Sequence, residues 1–341
     1  MCKHKVTGSV ESQTAVERRK HPVYWFEDGS LILEVHNVEF RVHRSLFQRH
    51  SSFLASAKPR TTCAATLAAD DAHNVAHSVY CSIDQGFNSR DTEALLEHMY
   101  HDFPLSPDSS FERIVAVLRS TGPQQFDMPT PHAHAKAILV SYFDRKNPSN
   151  IGPDILSEAV AIARVFRISP VLKTALYHTM IIADLDHDDA DVTVLDPQIQ
   201  LPGSTTVSES PFTTNTGKGY KLSKLDVNLC KSLMTRVIDH FTPILFTPAT
   251  TPHMACTDVF ADTWMPLIIS PALESDGVYK PIETLEQMRS IDWGKHGLCP
   301  VCVEEKREEW RKEQETVWNM IEKWLEEEAE VGSWHIQWLK H

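Results

Sequence analysis

Leu31-Ile32-Leu33-Glu34-Val35-His36-Asn37-Val38-Glu39-Phe40-Arg41-Val42-His43-Arg44-Ser45-Leu46-Phe47 changes its apolar period at His43, and that change decides the fold. Leu31, Leu33 and Val35 occupy alternate positions, and Phe40 and Val42 do so again after Asn37. Alternation of this kind predicts a hairpin that buries one face. Beyond Val42 the spacing becomes helical. Ser45 is suited to cap a first turn, and Leu46 and Phe47, then Phe53 and Leu54, recur at helical intervals. The reading is a strand, strand, helix, helix unit.

That unit resembles the start of the BTB (POZ) domain, in which a Phe-x-x-His-Arg/Lys-x-x-Leu run joins the second strand to the first helix. Here the run is Phe40-Arg41-Val42-His43-Arg44-Ser45-Leu46-Phe47, followed by His50-Ser51-Ser52-Phe53-Leu54. The resemblance implies an α+β BTB/POZ fold, a small sheet capped by helices, with Phe40, Val42, His43, Arg44, Leu46, Phe47 and Phe53 as its signature and core. It also implies a structural role for His43 and a function in protein–protein interaction. Many BTB homodimers bury an acidic residue of the first strand against the basic residue after the histidine. Alignment back from His43 puts Ser30 at the acid's position, so the pocket here would pair Asp28 with Arg44.

Working outward, residues 79–83 read as a third strand, and residues 92–100 as an amphipathic helix with Leu95, Leu96 and Met99 on one face. Residues 111–118 form another helix, with Ile114, Val115 and Leu118 inward. Pro129 and Pro131 open the next, whose apolar face is read as Ala137, Ile138, Val140, Tyr142 and Phe143. This closing helical pair also resembles BTB domains and sets a domain of residues 21–147 after a flexible tail, 1–20. Residues 55–76 read as an irregular excursion.

Residues 148–185 give two more helices broken at Ser169-Pro170. Ala161-Ile162-Ala163-Arg164 with Ala175-Leu176-Tyr177-His178 resembles the helical extension of an expanded fungal, basidiomycete-type BTB group. Residues 186–220 read as a loop or linker. Residues 221–341 form an all-α C-terminal region: one helix spans 222–246, with Val227, Leu229, Leu233, Val237 and Ile238 near helical period. A long one spans 303–328 and carries Trp310, Val317, Ile321, Trp324 and Leu325 as a stripe. Burial of that stripe against the 222–246 helix is expected, ahead of a role as a docking face.

Composition limits the function. Lys and Arg total 33 against 46 Asp and Glu, a formal charge of -13, which opposes phosphate backbones and anionic lipid. Direct nucleic-acid and membrane binding are therefore not expected. No apolar run approaches the ~20 residues of a membrane helix. The 7 cysteines are odd in number and scattered, residues 1–20 lack the apolar core of a signal peptide, and Asn147-Pro148-Ser149 is blocked as a glycosylation site by its proline. An intracellular, reducing compartment follows, with cytoplasm and nucleus not distinguished.

Chemistry concentrates at Cys299-Pro300-Val301-Cys302. Two thiolates at this spacing can share one zinc, with the remaining ligands drawn from Cys256, His253 and His296. Without a second Cys-x-x-Cys, two reduced thiols at a helix start is the preferred reading. A thioredoxin-like redox role fits less well: residues 287–298 show no strand, and Glu304 and Glu305 are expected to raise the thiol pKa values. The aspartates Asp184, Asp186, Asp188, Asp189 and Asp191 lack the Gly and Glu of a calcium loop, and Thr216-Gly217-Lys218-Gly219 lacks parts of a phosphate loop. No motif supplies a nucleophile for His43.

The expectation is a non-enzymatic interaction module, without cofactor or metal, that self-associates as a homodimer or recruits protein partners. The alternative is a zinc- or thiol-dependent enzyme centred on Cys299 and Cys302. Within the BTB family, a cullin-type ubiquitin-ligase adaptor is a further use, although no hydrophobic-x-Glu lies between Ile83 and Leu95. No zinc-finger array or basic helix accompanies the domain as a DNA reader.

Overall fold

The computed structural model describes residues 18–51, 79–83, 88–145, 151–182 and 222–331, with backbone alone for 79–83, 145 and 329–331. Phe53 and Leu54, the 55–76 excursion, nearly all of the 1–20 tail, the 186–220 loop, the aspartates at 184–191 and the Thr216–Gly219 turn lie outside the described residues. The fold is α+β, and the chain divides into two compact units, one running to Tyr142 and the other beginning at Phe143.

The first unit is built on a four-stranded sheet: β1 (Arg19–Trp25), β2 (Leu31–Val35), β3 (Val38–Val42) and β4 (Val79–Ile83), in the order β1-β3-β2-β4. β2 and β3 pair antiparallel with Leu33 opposite Phe40, joined by a tight turn in which His36 takes φ 52. β4 joins β2 in parallel, Leu31 to Val79 through Val35 to Ile83, and β1 joins β3 in parallel with a register shift between Lys20 and Trp25. A parallel partner on each side makes the hairpin the centre of the sheet.

The one-faced hairpin expected from alternation is therefore corrected. Every residue of β2 and β3 is buried, including Glu34, Glu39 and Arg41. Two of these charged groups have partners close by. Glu34 pairs with Arg18 at 2.8 Å, and Arg41 Nε donates to the Gly29 carbonyl at 2.9 Å. Gly29 is required there, because a Cβ would lie 2.9 Å from Arg41 Cγ and 3.0 Å from its carbonyl.

Helix α1 (Arg44–His50) starts two residues earlier than a Ser45 cap would set it. His43 is the N-cap residue, makes no side-chain capping bond, and leaves Ser45 exposed within the helix. The first amide, Arg44 N–H, instead donates to Ser30 Oγ at 3.4 Å. Phe40, Val42 and Phe47 are fully buried, whereas Leu46, one helical step away from Phe47, is only half-buried.

Helix α2 (Ser89–Met99) is capped by Asn88 and buries Leu95, Leu96 and Met99; α3 (Phe111–Ser120) is capped by Ser110 and buries Ile114, Val115 and Leu118. An Asp91–Arg119 bridge joins them inside the unit, with Nε to Oδ2 at 2.8 Å and a second bond at 3.0 Å. In α4 (Pro129–Arg145) the buried face is Ala135, Ile138, Leu139 and Tyr142 with Phe143. Ala137 is exposed and Val140 half-buried, a correction that follows from the i, i+3, i+4, i+7 rule.

The second unit is helical. α5 (Pro153–Phe166) and α6 (Ser169–Ile182) pack as a pair after a break in which Arg167 adopts φ 55. α7 (Lys224–Phe246) packs on α6, with Cys230 Sγ 3.9 Å from the Leu176 carbonyl, and buries Leu229, Leu233 and Val237, while Val227 and Ile238 are half-buried. α8 (Met254–Trp264) widens into a π-helical turn at Met265–Ile269, where Pro266 has no amide to continue the ladder. Then come α9 (Ser270–Glu274), a 3-10 turn (Gly277–Tyr279), α10 (Pro281–Ser290), a second 3-10 turn (Trp293–His296) and α11 (Pro300–Val331).

The tryptophan stripe of α11 is buried: Trp310, Val317, Ile321, Trp324 and Leu325. Its lower half meets α7, where Trp324 stands edge-on to His240 at 6.4 Å, His240 contacts Glu313 at 2.7 Å, and Ser232 donates to Glu328 at 2.6 Å. Trp310 belongs to a separate aromatic cluster with Phe260, Trp264 and Trp293, ring centroids 5.8 to 6.4 Å away. Both buried indole N–H groups beside it are satisfied, Trp264 by the Leu245 carbonyl at 2.8 Å and Trp293 by the Met288 carbonyl at 2.9 Å. Among the described residues no helix is long and apolar enough to cross a membrane.

Candidate functional site

The first unit gathers its polar residues where β3 hands over to α1. The His43 backbone N–H donates to Tyr100 Oη at 3.0 Å, and Tyr100 Oη lies 2.9 Å from His43 Nδ1. His43 Nε2 lies 3.1 Å from Asp28 Oδ2. One tautomer satisfies all three contacts: Nε2–H donates to Asp28, and Nδ1 accepts from the Tyr100 hydroxyl. The hydrogen bond from His43 holds the Asp28 carboxyl below the usual carboxylate range. Burial pushes the Tyr100 phenol up, which keeps its proton available to Nδ1. Phe26 closes the cluster, its ring 5.2 Å from His43 and 5.1 Å from Tyr100.

The Asp28 to Arg44 pair expected for a dimer pocket is not formed within the chain. Asp28 is turned to His43, and the Arg44 guanidinium lies 3.0 Å from the side-chain amide of Gln48. Ser30, at the position of the missing acid, is occupied with the first helical amide. Tyr100 and Ser30 thus do work that spacing from His43 did not assign to them.

The second unit holds the chemically distinctive group. His253 is the N-cap residue of α8 and Cys256 lies in its first turn; Cys299 immediately precedes α11 and Cys302 lies in its first turn. Two helix N-termini converge, each offering a pair of ligating residues three positions apart. The four ligand atoms lie within 4.8 Å of one another. His253 Nδ1 is 3.2 Å from Cys299 Sγ and 3.5 Å from Cys302 Sγ, and the Cys299 amide approaches Cys256 Sγ at 3.5 Å. Cys256 and Cys302 sit at the edge of the Phe260–Trp310 core, 4 % and 1 % exposed, while Cys299 is half-buried and His253 exposed.

Pro300 supplies the first residue of α11, where no amide is needed. The Cys302 amide, and after it His253, draw the Cys299 thiol down to about 6. Glu304 and Glu305, expected to raise it, are exposed and do not govern it. Burial does raise the Cys302 thiol. Of the ligands suggested by sequence, His253 and Cys256 join the cysteine pair; His296 instead lies edge-on to Trp293 at 6.3 Å. The signal available in the sequence was the repeated spacing, His253-x-x-Cys256 and Cys299-x-x-Cys302.

No protein-family model matches this chain, and no curated protein matches it.

Proposed function

We propose that the chain is a non-enzymatic interaction protein, in which a BTB-like N-terminal unit self-associates or recruits a protein partner and the helical unit offers a second surface. The observation that carries this reading is the run from Phe40 to Phe47. Phe40, Val42 and Phe47 close the core, and His43 is held at the strand-to-helix junction by Tyr100 and Asp28. A histidine so engaged has both ring nitrogens committed, one to the Tyr100 hydroxyl and one to the Asp28 carboxylate, which suits an architectural role. The net charge of -13 favours protein partners over nucleic acid or anionic lipid.

The enzyme alternative at Cys299 and Cys302 requires an open ligand position on a metal, or a thiolate facing a substrate. A fourfold donor set favours a closed, structural arrangement instead. Sedimentation equilibrium on the reduced full-length chain, from below to well above micromolar, tests the interaction reading. A dimer that Arg44→Glu weakens is expected. A monomer throughout, together with no protein retained on the wild-type chain beyond that on Arg44→Glu in affinity purification, overturns it.

A further inference from the structure

We infer that His253, Cys256, Cys299 and Cys302 bind one zinc ion as a closed structural site that ties the start of α8 to the start of α11. A tetrahedral zinc with sulfur at ~2.3 Å and nitrogen at ~2.0 Å sets nitrogen about 3.5 Å from each sulfur and the sulfurs about 3.8 Å apart. The observed separations of His253 Nδ1 from the two sulfurs, 3.2 and 3.5 Å, are close to that edge, and the whole set falls within 4.8 Å. Three sulfurs and one imidazole form a borderline-soft donor set that suits zinc and not the oxygen-seeking cations.

Three features beyond spacing support a metal. His253 occupies an N-cap position yet makes no capping bond, its ring being turned to sulfur. The Cys299 amide is aimed at Cys256 Sγ, as an outer-shell donor to a thiolate would be. Both helices direct their positive ends at the group, which offsets the net negative charge of three thiolates around a divalent ion. A Cys299–Cys302 disulfide would leave the convergence of Cys256 and His253 on the same point unexplained. Binding releases thiol protons to solvent and transfers no electrons. The ion would hold two segments 43 residues apart in the chain at the rim of the aromatic core.

The test uses the reduced full-length chain, purified without added metal or chelator, with metal content measured by mass spectrometry. About one zinc per chain is expected. After removal of the zinc, cobalt(II) should restore one equivalent with the intense visible bands of a tetrahedral thiolate site. His253→Cys should keep the metal and shift those bands toward a four-thiolate spectrum. Cys256→Ser should lose the metal, whereas Cys230→Ser should keep it. Folding of each variant is followed by circular dichroism, and because the wild-type cobalt spectrum needs no variant, misfolding of Cys256→Ser does not blunt the test. A folded wild-type chain that binds neither zinc stoichiometrically nor cobalt tetrahedrally overturns the inference. So does full zinc retention in Cys256→Ser.

Discussion

Removing the Asp91 carboxylate should open the first unit far more than an ordinary surface change. Asp91 and Arg119 face each other from α2 and α3 with two bonds of 2.8 and 3.0 Å, and both side chains are only 9 % exposed. Asp91→Ala removes a buried carboxylate and its two bonds to the Arg119 guanidinium, which costs about 3 to 5 kcal/mol. Hydrogen exchange of the β2 and β3 amides reports on this unit alone, and if those amides exchange through its opening, protection should fall roughly a hundred- to several-thousand-fold. The double change Asp91→Leu with Arg119→Met replaces both charges by apolar groups and should recover most of the loss, because the desolvation of the pair is removed along with its attraction. Unchanged protection in Asp91→Ala would refute the burial of the pair. A double variant as weak as the single one would refute loss of the Asp91 charge as the cause.

In the helical unit, Trp310→Ala should cost about 3 to 5 kcal/mol, since it empties the space between Phe260, Trp264 and Trp293, while Met265→Ala, at an exposed side chain of the same unit, should stay within about 0.5 kcal/mol; denaturant titration distinguishes them. His178 is buried, its Nδ1 lacks a partner among the described residues, and burial lowers its pKa from 6.5 to about 4. The unfolded chain therefore takes up the proton first on acidification, so the contribution is full above pH 6.5 and is lost as pH falls toward 4, by about 2 kcal/mol after allowance for solvent screening. His178→Gln should flatten that part of the stability–pH curve. Tyr100→Phe removes the acceptor of the His43 amide and should cost about 1 to 2 kcal/mol, with the His43 ring signals shifted in NMR spectra. Gly277→Ala places a Cβ 2.7 Å from Thr284 Oγ1 and 3.0 Å from Ala272 Cα, and a melting temperature equal to wild type would show that this close approach is relieved without cost.

Local pattern carried much of the fold. The period change at His43, the helical stripes of α2, α3, α7 and α11, the strand at residues 79–83 and the burial of Phe40, Val42 and Phe47 are all set by side-chain spacing along one element. Counted as i, i+3, i+4, i+7 from Ala135, the helical rule leaves Val140 off the buried face of α4, as the structure has it. Spacing has no means of stating which element lies beside which. That the hairpin is flanked by parallel β1 and β4, and so buries Glu34, Glu39 and Arg41, depends on partners distant in sequence. The capping of α1 by Ser30, and the turning of Asp28 to His43 and away from Arg44, depend likewise on how the β1–β2 turn meets the helix. The cysteine pair at the start of α11 was visible in the sequence, and His253 and Cys256 were among its named neighbours. Choosing them over His296 required α8 and α11 to meet at their N-termini, because a ligand set is a property of atoms in space and the chain between Cys256 and Cys299 leaves that meeting free until Phe260, Trp264, Trp293 and Trp310 pack.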